Sequence, residues 1–170
     1  MFSWCYKLVE VNLGKLEFAL SEEFCCMFKK CYNLEKLDVS FLKTQNATTF
    51  EGMFAECSEL KEINVSKFKT TNCTNMCIMF RDCKSLESID MINWDMSNIK
   101  NNHSLFRGCS NLKSIKMKMN FDIKNTKIFR KNRDIFRGIP EGGTFTWKKG
   151  FNCNDLLQYL PPSWNRPQEE

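Results

Sequence analysis

Ten cysteines and a single histidine are the residues of this 170-residue chain whose types invite chemistry. Cysteine at that density raises three options: a disulfide framework, a metal site or a thiolate nucleophile. Zinc would require clustered Cys-x-x-Cys or Cys/His pairs, and no Cys-x-x-Cys occurs. Cys73 and Cys77 stand four apart, but Cys73 aligns with Ala47 and Ile99 in an apolar column. Cys25 and Cys26 are adjacent, and Cys153 stands alone near the C-terminus. A nucleophilic thiol needs a nearby base. The only imidazole, His103, shares a repeat position with Cys25, Glu51 and Cys77 and reads as a variable surface residue. None of the motifs GxGxxG, GxxxxGKS, GxSxG or HExxH is present. The expectation is therefore a non-enzyme, with no catalytic, cofactor-binding or metal-ligating residues and no cofactor.

Spacing explains the cysteines better than chemistry does. Met1-Phe2, Met27-Phe28, Met53-Phe54, Met79-Phe80 and Leu105-Phe106 recur every 26 residues, and Ile135-Phe136 follows after 30. Each of the first five is followed by Cys-x-x-Leu-x-x-apolar-x-apolar, so that Cys5, Cys31, Cys57, Cys83 and Cys109 form one column. That regularity predicts packed, unpaired thiols, since free cysteine is among the most buried residue types. The alternation of Leu34, Leu37 and Val39, repeated in every unit, predicts a short strand with one buried face. Units this small must stack to bury their apolar residues, strand beside strand in a parallel sheet. Thr48-Thr-Phe-Glu51, which reads as a capping box, and the acids at Glu22 and Glu23 predict a short helix or helical turn entering each MFxxC. Asn46, Asn72, Asn98 and, shifted by one, Asn125 form a column suited to satisfying backbone groups at a tight corner. Two of them coincide with Asn-x-Ser/Thr sequons, which are read as structural.

The pattern MFxxCxxLxxLDVSxFxTxNxT resembles the BspA-type leucine-rich repeats, in particular the branch of unknown function common in mycoplasma, spirochaete and gut-bacterial surface proteins. The resemblance implies an α/β leucine-rich-repeat solenoid, with a parallel sheet on one face, short helices or helical turns opposite, and a C-terminal cap. On this reading residues 1–138 hold five repeats and a partial sixth, and 139–170 form the cap and tail, with a Gly-Gly strand and a short helix from Asn154 stopped by Pro161-Pro162. The family implies a role in adhesion or host contact at a cell surface.

Function is then expected on the residues between the motifs. The outward positions of the strands give Lys36, Glu62, Ser88 and Ser114 in one column, Asp38, Asn64, Asp90 and Lys116 in the next, and Lys118 beyond. These are the candidate partner-binding residues, on a rigid face of the kind repeat proteins use for extended recognition. Charge supplies a second candidate. Residues 113–149 carry 11 Lys/Arg against 3 Asp/Glu, whereas the whole chain is only +5, and Lys124, Lys127, Arg130, Lys131 and Arg133 cluster there as a basic patch. The expected partner is a protein, with an anionic surface or glycan as an alternative, and the lack of a stacking-platform or groove-reading motif argues against nucleic acid. Localisation stays open: the resemblance implies the cell surface, but the sequence shows no signal peptide and many free thiols, which favour a reducing compartment. The runner-up is an intracellular, effector-like protein that engages an acidic partner through its basic third. Because the chain begins inside a repeat, a longer parent protein is also expected. No apolar run approaches the ~18 residues of a transmembrane helix.

Overall fold

The computed structural model describes residues 2–11, 21–118, 134–148 and 154–169. Its regular elements are β1 (Glu10–Val11), β2 (Lys36–Leu37), β3 (Ser88–Met91), β4 (Ser114–Met117), β5 (Thr144–Lys148), α1 (Asn154–Leu157) and β6 (Gln168–Glu169). They make two separate parallel sheets, β1-β2 and β3-β4-β5-β6. Register follows the repeat: Glu10 faces Lys36, and Ser88 to Met91 face Ser114 to Met117. Segment 60–65, where an equivalent strand is expected, forms none, and this separates the sheets.

The structure overturns the expected α/β leucine-rich-repeat solenoid. The sheet is not continuous, and among the described residues no layer of helices lies opposite it. The only helix there is α1, in the C-terminal segment. The segments read as helices, such as 48–57, are instead runs of overlapping four-residue turns. In one of them Met53, Ala55 and Cys57 donate their N–H groups to the carbonyls of Phe50, Gly52 and Phe54 at 3.1 Å.

The physical reason is a pair of left-handed columns. Cys26, Gly52, Ile78 and Ser104 have φ of 54°, 58°, 51° and 54°, and Lys30, Glu56, Asp82 and Gly108 have 62°, 64°, 57° and 77°. A residue in that region cannot continue a right-handed helix, and it is costly for any side chain except glycine. What offsets the cost is a ladder between units. Phe24, Cys26, Phe28 and Lys30 donate N–H bonds of 2.8–3.1 Å to the carbonyls of Thr49, Glu51, Met53 and Ala55 in the following unit. The next two units repeat the scheme through Phe54, Glu56, Phe80 and Asp82. Backbone donors that a helix would satisfy internally are thus spent on the neighbouring unit. The capping box is likewise replaced, because Thr49 Oγ1 accepts from the N–H of Glu51, and Asn75 and Asn101 repeat this two residues before Cys77 and His103.

The interior follows the same period. Phe2, Phe28, Phe54, Phe80, Phe106 and Phe136 stack in one column with successive centroids 5.5–6.0 Å apart. Phe24 stacks on Phe50, and Phe68 on Trp94. Offset stacking of this kind adds to the burial of each ring. Beyond the repeats, β5 extends the second sheet in parallel, and Leu156, Leu160 and Trp164 are buried. Trp164 donates Nε1–H to the Pro140 carbonyl at 2.7 Å.

Candidate functional site

The cysteine column is a hydrogen-bonded ladder. Cys31, Cys57, Cys83 and Cys109 are wholly buried, and each thiol donates to the carbonyl of a phenylalanine in the preceding unit, namely Phe2, Phe28, Phe54 and Phe80, at 2.9–3.1 Å. Those carbonyls also accept the N–H of their own unit's cysteine, so both lone pairs are occupied. Burial pushes these thiols away from the reactive thiolate: Cys31 rises to about 11, Cys109 to about 12, and Cys57 and Cys83 well above the ordinary 9.0. Cys5, in the first unit, is exposed. Cys73 is buried, with its thiol donating to Asn75 O at 3.5 Å. His103 is half-buried, and its backbone N–H bonds Asn101 Oδ1. No group of three His, Cys, Asp or Glu could hold a metal among the described residues.

The sheet face gathers most of the predicted binding residues. Lys36, Asp38, Glu62, Asn64, Ser88 and Asp90 line one shallow groove of about 510 Å³, floored by Leu37, Ile63 and Val65. Its position coincides with the interruption between the sheets at 60–65. A second hollow of about 290 Å³ shares Lys36, Glu62 and Ser88 and adds Glu35, Lys61 and Glu87. Those three were missed by the sequence reading, which assumed strict alternation. Leu34 and Leu37 are buried while both residues between them are exposed, so two polar positions per unit reach the face. The run of polar residues at 35, 61, 87 and 113 was the available signal. Together the two hollows hold five carboxylates and two ammonium groups.

Asp38, Asn64 and Asp90 also have a local task. Their Oδ1 atoms accept the N–H of Ser40, Ser66 and Ile92 at 2.8–3.1 Å, closing one Asx turn in each of three successive units. The hydrogen bonds from Ser40 hold the Asp38 carboxyl below the usual range, so it faces the groove ionised.

Ser114 and Lys116 lie on β4 opposite Ser88 and Asp90, and Lys118 follows β4; none of these three lines the groove. The basic patch of Lys124, Lys127, Arg130, Lys131 and Arg133 lies outside the described residues, as does Asn125. Asn72 and Asn98 act as predicted, donating Nδ2–H to Gln45 O and Thr71 O of the preceding unit at 3.0 and 2.8 Å. Among the described residues no helix is long and apolar enough to cross a membrane.

No curated protein and no solved structure matches the chain. A family match does exist, over the segment that carries the groove and, Phe2 apart, the phenylalanine stack and the thiol ladder. Residues 19–138 match the family described as Mycoplasma protein of unknown function, DUF285, and the chain belongs to that family.

Proposed function

We propose that the protein is a non-catalytic binding module that takes a protein partner on its sheet face. The observation that carries this reading is the groove at the interrupted sheet, which unites six outward residues from three successive units. Carboxylates outnumber ammonium groups there, so the partner segment presents basic side chains to Glu62, Asp38 and Asp90. The aliphatic floor of Leu37, Ile63 and Val65 gives it apolar contact. Buried thiols with raised pKa values leave no activated nucleophile in the repeat core, which supports a non-catalytic role. The resemblance of the MFxxC repeat to BspA-type surface repeats supports adhesion or host contact as the setting. The test is an array of immobilised extended peptides of graded charge. Basic peptides should be retained in a salt-sensitive way, and the paired change Glu62→Lys with Asp90→Lys should abolish retention. Retention that is independent of peptide charge, or unchanged in that variant, overturns the reading.

A second reading rests on the 11 Lys/Arg of residues 113–149, which suit an acidic partner inside a cell. Its test is separate: replacing Arg130, Lys131 and Arg133 with Glu should abolish capture of acidic peptides, and unchanged capture removes it.

A further inference from the structure

Cys25 and Cys26 stand apart from the ladder. Their sulfurs are in contact at 3.6 Å, with Cys25 exposed and Cys26 half-buried. The backbone around them is held firmly: Phe24 N–H bonds Thr49 O at 3.1 Å, Cys26 N–H bonds Glu51 O at 2.8 Å, and Cys26 O accepts from Lys29 at 3.1 Å.

The fold does not require thiols here. The same left-handed turn is built by Glu51-Gly52, Cys77-Ile78 and His103-Ser104, with φ of 58°, 51° and 54° at the second residue, and Gly52 and Ile78 repeat the forward hydrogen bond at 2.9 and 2.8 Å. Cysteine at the left-handed position is the costlier choice where glycine serves, by about 1 kcal/mol. The pair is therefore a feature added to the turn, and we infer that Cys25 and Cys26 form a preorganised dithiol site for a trivalent arsenical or a similar trivalent thiophile.

Geometry selects the ligand class. The peptide linking the two residues is trans, which fixes their Cα atoms about 3.8 Å apart. Disulfides ordinarily need at least about 4.4 Å, so a direct S–S bond would be strained, whereas one bridging atom fits thiols already 3.6 Å apart. Tetrahedral zinc tolerates a similar sulfur separation but wants four donors, and no third His, Cys, Asp or Glu completes a set among the described residues. Partial shielding from water, the Cys26 thiol, Glu51 and Glu23 raise Cys25 to about 11, so it carries its proton into the condensation with an arsine oxide. Two As–S bonds form and the As–O bond breaks; both thiol protons leave with that oxygen as one water. Arsenic stays trivalent, and the product is uncharged.

This site is independent of the sheet-face reading. The probe is phenylarsine oxide added to the reduced full chain, followed by intact mass and peptide mapping. The expected result is one phenylarsenic group bound, with loss of one water, mapped to Cys25-Cys26. It should resist excess monothiol and be released by 2,3-dimercaptopropanol. The paired change Cys25→Glu with Cys26→Gly, which copies the neighbouring turn, should keep the fold and weaken binding by about 100-fold or more through loss of chelation. Cys25→Ser alone, at an exposed position, should do the same and serves if the pair fails to fold. No uptake by the native chain, uptake washed out by monothiol, or equal uptake by either variant overturns the inference.

Discussion

Raising the pH should unfold this protein through its buried thiols. Cys31, Cys57, Cys73, Cys83 and Cys109 are buried, and burial lifts all five above the ordinary 9.0, with Cys31 and Cys73 at about 11 and Cys109 at about 12. A thiol whose pKa is higher in the folded than in the unfolded chain favours the fold fully below pH 9, where both states hold the proton. Between 9 and the folded value only the unfolded chain releases it, so stability falls as pH rises, by about 1.4 kcal/mol per unit for each thiol. Over the five, about 7 kcal/mol should be lost between pH 8 and pH 10, comparable to the entire stability of a typical domain. Urea unfolding of the reduced protein, followed by near-ultraviolet circular dichroism at half-unit steps across that range, measures this directly. Cys73→Ala should lessen the pH dependence by about one fifth. A loss smaller than a third of that expected, or a slope unchanged in that variant, would refute the claim that the folded chain keeps these thiols neutral.

Four further outcomes follow from the packing. Phe54→Ala removes the middle of the ring column and should cost about 3–5 kcal/mol, read as a lowered urea midpoint. Gly108→Ala introduces a Cβ at φ 77° against the Asp82 carboxylate and should cost about 1–3 kcal/mol in the same assay. Asp38→Ala should cost about 0.5–1.5 kcal/mol at neutral pH by removing the Asx turn. Its lowered pKa puts this contribution above the unfolded carboxyl value and removes it as pH falls through the folded value, so wild type and variant should converge in acid. Far-ultraviolet circular dichroism should lack a helical double minimum, because the MFxxC segments are turns; a helix content like that of an ordinary globular domain would contradict the left-handed columns.

Much of this arrangement was legible in the residues. Burial of Cys31, Cys57, Cys83 and Cys109, the phenylalanine column and the outward positions of the strands all follow from spacing, because a fixed interval brings like residues into contact; Cys5, expected to pack with them, is exposed because no preceding unit covers it among the described residues. Helices were misread because Phe50, Phe54 and Cys57 lie on one helical face, and the same spacing also suits consecutive turns that point side chains inward. The clue was Gly52 and Gly108, each in one of the two columns that need a left-handed residue, but Cys26, Lys30, Glu56, Ile78, Asp82 and Ser104 fill the other places and hid it. The thiol–carbonyl bonds were invisible for a different reason: they join a cysteine to the backbone of the preceding unit, and backbone acceptors leave no trace in sequence. The groove could not be read either, since it lies where segment 60–65 forms no strand although its residues alternate as well as those of β3.

The most direct test of the central claim, that the repeated cysteines are packing and the chemistry of recognition lies between them, is site-resolved alkylation of the native protein at pH 8. With iodoacetamide and peptide mass spectrometry, the exposed Cys5 should be modified first, while Cys57, Cys83 and Cys109 should react at least about a thousandfold more slowly, at the pace set by global unfolding. Modification of Cys57 or Cys83 within about tenfold of the rate of Cys5 would contradict the account.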